Sequence, residues 1–112
     1  MRRVLGFIDK APKEGAVLAR GGKRVREETG GFYVEPTIFD SVQNTHALAR
    51  EEVFGPVLGV IAFKDEDEAV RIANDTVYGL ASGLWTANIS RAHRVARKLR
   101  AGLVWINGWD AC

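Results

Sequence analysis

The chain has 112 residues, 46% of them hydrophobic and 27% charged, a balance that excludes a disordered segment and describes one compact domain or a piece of a larger one. Lys and Arg number 16 against 14 Asp and Glu, for a formal net charge of +2. The basic residues are dispersed apart from Lys23, Arg24 and Arg26 and a string from Arg91 to Arg100, and no aromatic platform or known binding motif accompanies them, so nucleic acid is not an expected partner.

Val4, Leu5 and Ile8 have helical spacing, and Pro12 and Gly15 bound that first helix on its C-terminal side. Ala16 to Ala19 reads as a short strand. Gly21-Gly22 and Gly30-Gly31 bracket the charged run Lys23 to Glu28, which reads as an exposed loop. Tyr33 to Phe39 reads as a strand, and Pro36 places it at a sheet edge or beside a bulge because proline donates nothing to a ladder. Val57 to Phe63 is a nearly continuous apolar run, suited to a strand covered on both faces. Asp65 caps the next helix, with Glu68 three residues on, and Ala69, Val70, Ile72 and Ala73 form its buried stripe. Gly79 leads into a strand from Leu80 to Trp85. Asn88 caps a further helix whose apolar face is Ala92, Val95, Ala96 and Leu99, and Gly102 ends it. Leu103 to Asn107 is the last strand.

Strands alternating with helices over short connections predict an α/β fold: a partial open sheet with mainly parallel strands and crossover helices. Ligands of such sheets bind beyond the carboxyl ends of the strands, and Asn107-Gly108-Trp109-Asp110 falls at such an end.

The chemistry-bearing motifs are few. There is no G-x-G-x-x-G and no G-x-x-x-x-G-K, so neither a dinucleotide turn nor a P-loop is written here. His46 and His93 are isolated, and Cys112 is the single cysteine, which excludes an internal disulfide and a cysteine zinc cluster; no metal is expected. Asn74 and Asn88 lie in N-x-S/T sequons but read as helix-end residues. The basic N-terminus is unlike a signal peptide, and no apolar run approaches the roughly 18 residues of a membrane span, so the expected address is the cytoplasm, with no membrane partner. The most informative stretch is Glu51-Glu52-Val53-Phe54-Gly55-Pro56-Val57. Its spacing fits two arrangements: acidic residues closing a surface helix with Phe54 as a core plug, or a carboxylate held at a sheet edge to accept hydrogen bonds from ligand hydroxyls.

That stretch resembles the E-E-[IV]-F-G-P-V motif of the aldehyde dehydrogenase superfamily. Gly31 to Phe39 is similar to the G-[YF]-[FY]-[VI]-x-P-T-[VI]-[FL] segment that precedes it in the family. Asn74 to Gly83 and Ala101 to Asn107 are similar to the A-N-x-x-x-Y-G-L-A-[AS] and A-G-x-[VI]-W-[VI]-N segments that follow it. The motifs occur in the family's order and span essentially the whole chain.

The resemblance implies that residues 1–112 are the C-terminal part of an aldehyde dehydrogenase catalytic domain. It implies an enzyme that converts an aldehyde, NAD(P)⁺ and water to a carboxylic acid and NAD(P)H. Glu52 corresponds to the family residue that hydrogen-bonds the nicotinamide ribose, a task suited to a carboxylate facing two vicinal hydroxyls. Phe54 corresponds to the aromatic residue beside the nicotinamide. Asn107 opens the loop that lines the substrate tunnel, and Trp109 and Asp110 follow in it. That loop is similar to those of relatives acting on amino-aldehydes such as betaine aldehyde, where Asp110 would attract a cation and Trp109 would stack on it; a generic aliphatic aldehyde is the other reading. The matching order places the family nucleophile, general base and dinucleotide-binding domain before Met1. No residue of this chain is therefore expected to be catalytic, and Cys112 reads as a terminal or tunnel-lining thiol. The chain alone is expected to be inactive and to associate with itself or with the rest of the enzyme; the competing reading is a non-catalytic interaction module derived from the fold.

Overall fold

A computed structural model describes residues 1–109. It divides at Ala62/Phe63 into two units. In the first, helix α1 (Arg2–Lys10) forms where the apolar spacing predicts it and buries Val4, Phe7 and Ile8. A 3₁₀ turn over Ala11–Glu14 carries Pro12 in its first turn, and Gly15 ends it at φ 102°, a left-handed conformation that glycine adopts without steric cost. The chain continues as β1 (Val17–Arg20), β2 (Arg24–Val25), β3 (Tyr33–Val34), β4 (Thr37–Asp40), the one-turn helix α2 (Ala47–Arg50) and β5 (Val57–Gly59). The main sheet has the order β1-β4-β5, with β1 antiparallel and β5 parallel to β4. Phe39 and Thr37 on β4 are its most deeply buried residues. They sit in a core of Val4, Phe7, Ile8, Ala11, Ala16, Val42, Ala47 and Val53. The buried Thr37 hydroxyl is satisfied: it donates to the Glu35 carbonyl at 2.8 Å and accepts from the Gly22 amide at 2.9 Å.

Three sequence expectations are corrected in this unit. The charged run Lys23 to Glu28 is not simply a loop: Arg24 and Val25 pair antiparallel with Val34 and Tyr33, because Arg24 turns its guanidinium onto Glu27 and the Gly31 carbonyl, both at 3.2 Å. The run Tyr33 to Phe39 is two strands in two sheets. Glu35-Pro36 breaks it, with Pro36 just outside the ladder, and β4 is central rather than an edge; the other expectation, a strand beside a bulge, is met in β1, whose register against β4 shifts between Leu18 and Arg20. Finally, only Val57–Gly59 of the apolar run is strand, paired with β4 rather than with a following strand. Leu58 and Val60 are exposed, not covered on both faces by the described residues.

The second unit contains α3 (Glu66–Asn74), β6 (Ala81–Leu84), α4 (Ile89–Lys98) and β7 (Leu103–Ile106). Strands β6 and β7 pair parallel, Ala81 opposite Leu103 through Leu84 opposite Ile106, with α4 as the crossover between them. Both helices start as expected. The Asp65 carboxylate accepts from the Glu68 amide at 2.8 Å while the Glu68 carboxylate accepts from the Lys64 amide at 2.9 Å, and the Asn88 side chain accepts from the Arg91 amide at 2.9 Å. Asn74, the last residue of α3, donates its amide to the Lys98 carbonyl and accepts from the Arg100 amide, both at 2.8 Å, so it also closes the end of α4. Gly102 does not end α4. Leu99 does, by turning extended (φ −76°, ψ 129°). The α3 stripe is not buried either: Val70 and Ala73 line an open cleft of about 580 Å³ with Leu84, Val95 and Leu99.

The fold is thus α/β, with parallel pairings β4–β5 and β6–β7 beside antiparallel pairings β1–β4 and β2–β3.

Candidate functional site

The first unit presents the Glu51–Val57 turn. Helix α2 is capped from below: the Glu14 carboxylate accepts the Ala47 amide at 2.9 Å, a bond that holds the Glu14 carboxyl below its ordinary 4.5 with help from Lys10. The buried His46 accepts the Gln43 amide on its Nδ1 at 3.3 Å. The helix stops at Glu51, which turns extended (φ −122°, ψ 147°). From there side chains alternate. Val53 enters the core at 8% exposure, whereas Phe54 stands 84% exposed. The core plug of this stretch is therefore Val53, and the reading of Phe54 as a plug falls. Phe54 adopts φ 59°, a conformation rare for an aromatic residue and stored where surrounding contacts impose it. Glu52 is exposed, and its backbone carbonyl accepts from Arg3 Nη2 at 2.7 Å. Among the described residues no group bonds its carboxylate, which leaves both oxygens available as acceptors.

The second unit presents a loop beyond the carboxyl ends of β6 and β7. Asn107, at φ 53°, gives both ends of its side-chain amide to Thr86: Oδ1 accepts from the Thr86 amide at 2.8 Å and Nδ2 donates to its carbonyl at 3.0 Å. Its own amide donates to the Leu84 carbonyl at 2.8 Å. Asn107 thus fastens the loop and has little left for a ligand. Trp109 is 59% exposed, stacks near Trp85 (centroids 6.5 Å, 19°) and packs tilted against Trp105 (4.7 Å, 45°). A Cβ on Gly83 would stand 2.9 Å from Trp109 Cε3, so the ring uses the space that glycine leaves. Trp85, Trp105 and Gly83 are absent from the sequence-based site. The available signal was that all three tryptophans of the chain fall between positions 85 and 109. Asp110 and Cys112 lie outside the described residues.

One unit is a parallel strand–helix–strand with an aromatic loop beyond its carboxyl ends, and the other displays the Glu52 carboxylate and the Phe54 ring; both belong to the α/β class. The family model described as the aldehyde dehydrogenase family matches residues 1–112, and the chain belongs to that family. A betaine aldehyde dehydrogenase of Brucella anthropi is 47% identical over 110 residues, covering 96% of this chain and 23% of that protein. The chain thus spans about a quarter of the length of the curated relatives it matches. Among solved structures, the indole-3-acetaldehyde dehydrogenase AldA of P. syringae, in complex with NAD⁺, is 55% identical with a TM-score of 0.97 over 99% of this chain and 22% of its own. The γ-glutamyl-γ-aminobutyraldehyde dehydrogenase of Burkholderia cenocepacia is 58% identical with a TM-score of 0.93 over the same shares.

Proposed function

We propose that residues 1–112 form the C-terminal part of the catalytic domain of an NAD(P)-dependent aldehyde dehydrogenase that oxidises an aldehyde to a carboxylic acid. The observation that carries this reading is the turn at Glu52–Phe54, where an exposed carboxylate with no bonding partner among the described residues and a displayed aromatic ring stand two residues apart. Those groups fit the nicotinamide end of a dinucleotide. Glu52 would accept from the ribose hydroxyls, and Phe54 would offer its face to the ring. Bound there, the cofactor supplies a hydride acceptor. This segment contributes orientation rather than bond making: the attacking thiolate and the glutamate that activates water are assigned to other segments of the complete enzyme.

On the substrate side, Trp109 with Trp85 and Trp105 supplies an aromatic wall, and Asp110 follows it in sequence. Such a wall suits an aldehyde bearing a cationic or aromatic head group. The 112-residue chain by itself is proposed to be inactive, to work in a cytoplasmic setting within the complete enzyme, and to associate through the apolar side chains it exposes.

The test is cofactor binding by the complete enzyme that carries this segment. Glu52→Gln keeps the shape but loses the charge-assisted acceptor, and NAD⁺ affinity measured by calorimetry should fall about tenfold. Unchanged affinity would remove Glu52 from the cofactor site.

A further inference from the structure

The turn that displays Phe54 is held from outside itself. Its left-handed backbone at φ 59° lies between two residues that both meet α1. On one side, Arg3 Nη2 donates to the Glu52 carbonyl at 2.7 Å, and the same guanidinium nitrogen lies 3.9 Å from the Glu51 carboxylate. The guanidinium also sits 5.3 Å from the centre of the Phe7 ring, which limits where it can swing. On the other side, Val4 fills the space over Gly55 so closely that a Cβ there would stand 2.6 Å from Val4 Cγ2. Val53, between the two, is anchored in the core. Successive residues of α1 thus fix the peptide before and the residue after the one conformation that the turn would not adopt unaided.

We infer that Arg3 is a positioning residue for the cofactor site: from α1 it pins the Glu52 carbonyl and, with Val4 against Gly55, holds Glu52 and Phe54 displayed to the dinucleotide. The inference rests on the assignment of Glu52 and Phe54 to the cofactor. It adds a residue from a different element, 49 positions away in sequence, that touches neither cofactor nor substrate. Preordering the turn removes an entropic cost that cofactor binding would otherwise meet. A guanidinium is suited to the task because one of its terminal nitrogens donates to the Glu52 carbonyl while its fixed positive charge lies near the Glu51 carboxylate.

The experiment compares Arg3→Ala, Arg3→Lys and Glu52→Ala in the complete enzyme that carries this segment, reading NAD⁺ affinity, the KM-against-kcat split, and amide hydrogen exchange over residues 52–55. The Arg3 side chain is 60% exposed, so its removal leaves the core intact. Arg3→Ala should speed exchange in the turn and raise Kd and KM for NAD⁺ about tenfold, with kcat at saturating NAD⁺ and KM for the aldehyde unchanged. Arg3→Lys should recover part of the affinity through one remaining donor. Gly55→Ala should mimic Arg3→Ala by pushing on Val4, and Val4→Ala in the same chain should relieve it. Unchanged exchange in Arg3→Ala overturns the clamp. Faster exchange with unchanged NAD⁺ affinity, while Glu52→Ala weakens binding, overturns the positioning role alone. Unchanged affinity in Glu52→Ala overturns the cofactor assignment beneath it.

Discussion

Gly83 shows how one missing side chain shapes a surface. Its Cβ would meet Trp109 Cε3 at 2.9 Å and Cζ3 at 3.0 Å, and Trp85 Cζ3 at 3.5 Å. Since Trp109 is borne on an exposed loop, Gly83→Ala should displace the ring rather than unfold the strand. The expected outcome is a shifted tryptophan emission with a thermal midpoint changed by little, together with a lower kcat/KM for aldehydes in the complete enzyme. Unaltered emission and kinetics would separate the tryptophan cluster from substrate recognition. Asn107 makes a different point. The family pattern marks it as a tunnel residue, yet its amide mimics one more rung of the ladder, joining Thr86 to the end of β7. Asn107→Ala should leave two Thr86 backbone groups without these partners and loosen the loop, at a cost of about 1 kcal/mol per lost bond, less where water replaces it; hydrogen exchange at Thr86 would read it.

At the scale of elements, α3 and α4 are joined by ions rather than by a sealed apolar seam. Arg94 donates to both Glu66 oxygens at 2.7 Å, Arg91 lies 3.4 Å from the same carboxylate, and Lys98 reaches Asp67 at 3.1 Å. The Arg94 hydrogen bonds, ahead of the charges of Arg94, Lys98 and Arg91, hold the Glu66 carboxyl down from 4.5 to about 2, while Glu66 pushes the Arg94 guanidinium up. A carboxyl depressed in the folded state stabilises in full above its unfolded value of 4.5 and ceases to do so as pH falls through about 2. The thermal midpoint should therefore drop across that window, and Glu66→Gln should flatten the drop. Carboxyl NMR of Glu66 checks the premise, since a midpoint near 4.5 would mean that the pair does not form in solution. Because the arginine side of the network is about half exposed, added salt should shrink the effect.

For the whole molecule, the decisive feature is apolar surface left in the open. Phe32, Leu58 and Val60 in the first unit and Phe63, Leu80 and Ile89 in the second are all more than 40% exposed. Surface of that kind drives association. The 112-residue chain, purified alone, should sediment as an associated species, and a stable monomer would count against this. It should also reduce neither NAD⁺ nor NADP⁺ with any aldehyde, since a ribose hydrogen bond contributes about 1.5–3 kcal/mol against the roughly 8 kcal/mol that micromolar binding requires. Turnover abolished by Cys112→Ala would overturn this and make Cys112 a nucleophile.

The sequence by itself determined the family, the presence of α1, and α3 and α4 with their starts, but not the one-turn helix α2. Periodicity and capping are local, as with Asp65 and Glu68 or Asn88 and Arg91, and motifs such as Glu51 to Val57 are contiguous. It also placed Asn107 at the carboxyl end of a parallel strand, because a strand–helix–strand order leaves few alternatives. Only the tertiary structure decided that Val53, not Phe54, enters the core, since alternation along an extended segment puts one of two neighbours inward and only the docking of that segment selects which. It alone made β4 a central strand, because a partner's identity is not written in the strand that seeks it. It alone joined Trp85 and Trp105 to Trp109, and Arg3 to Glu52, across 24, 4 and 49 positions of chain. Contacts of that kind depend on how elements dock, and neither spacing nor composition encodes the docking.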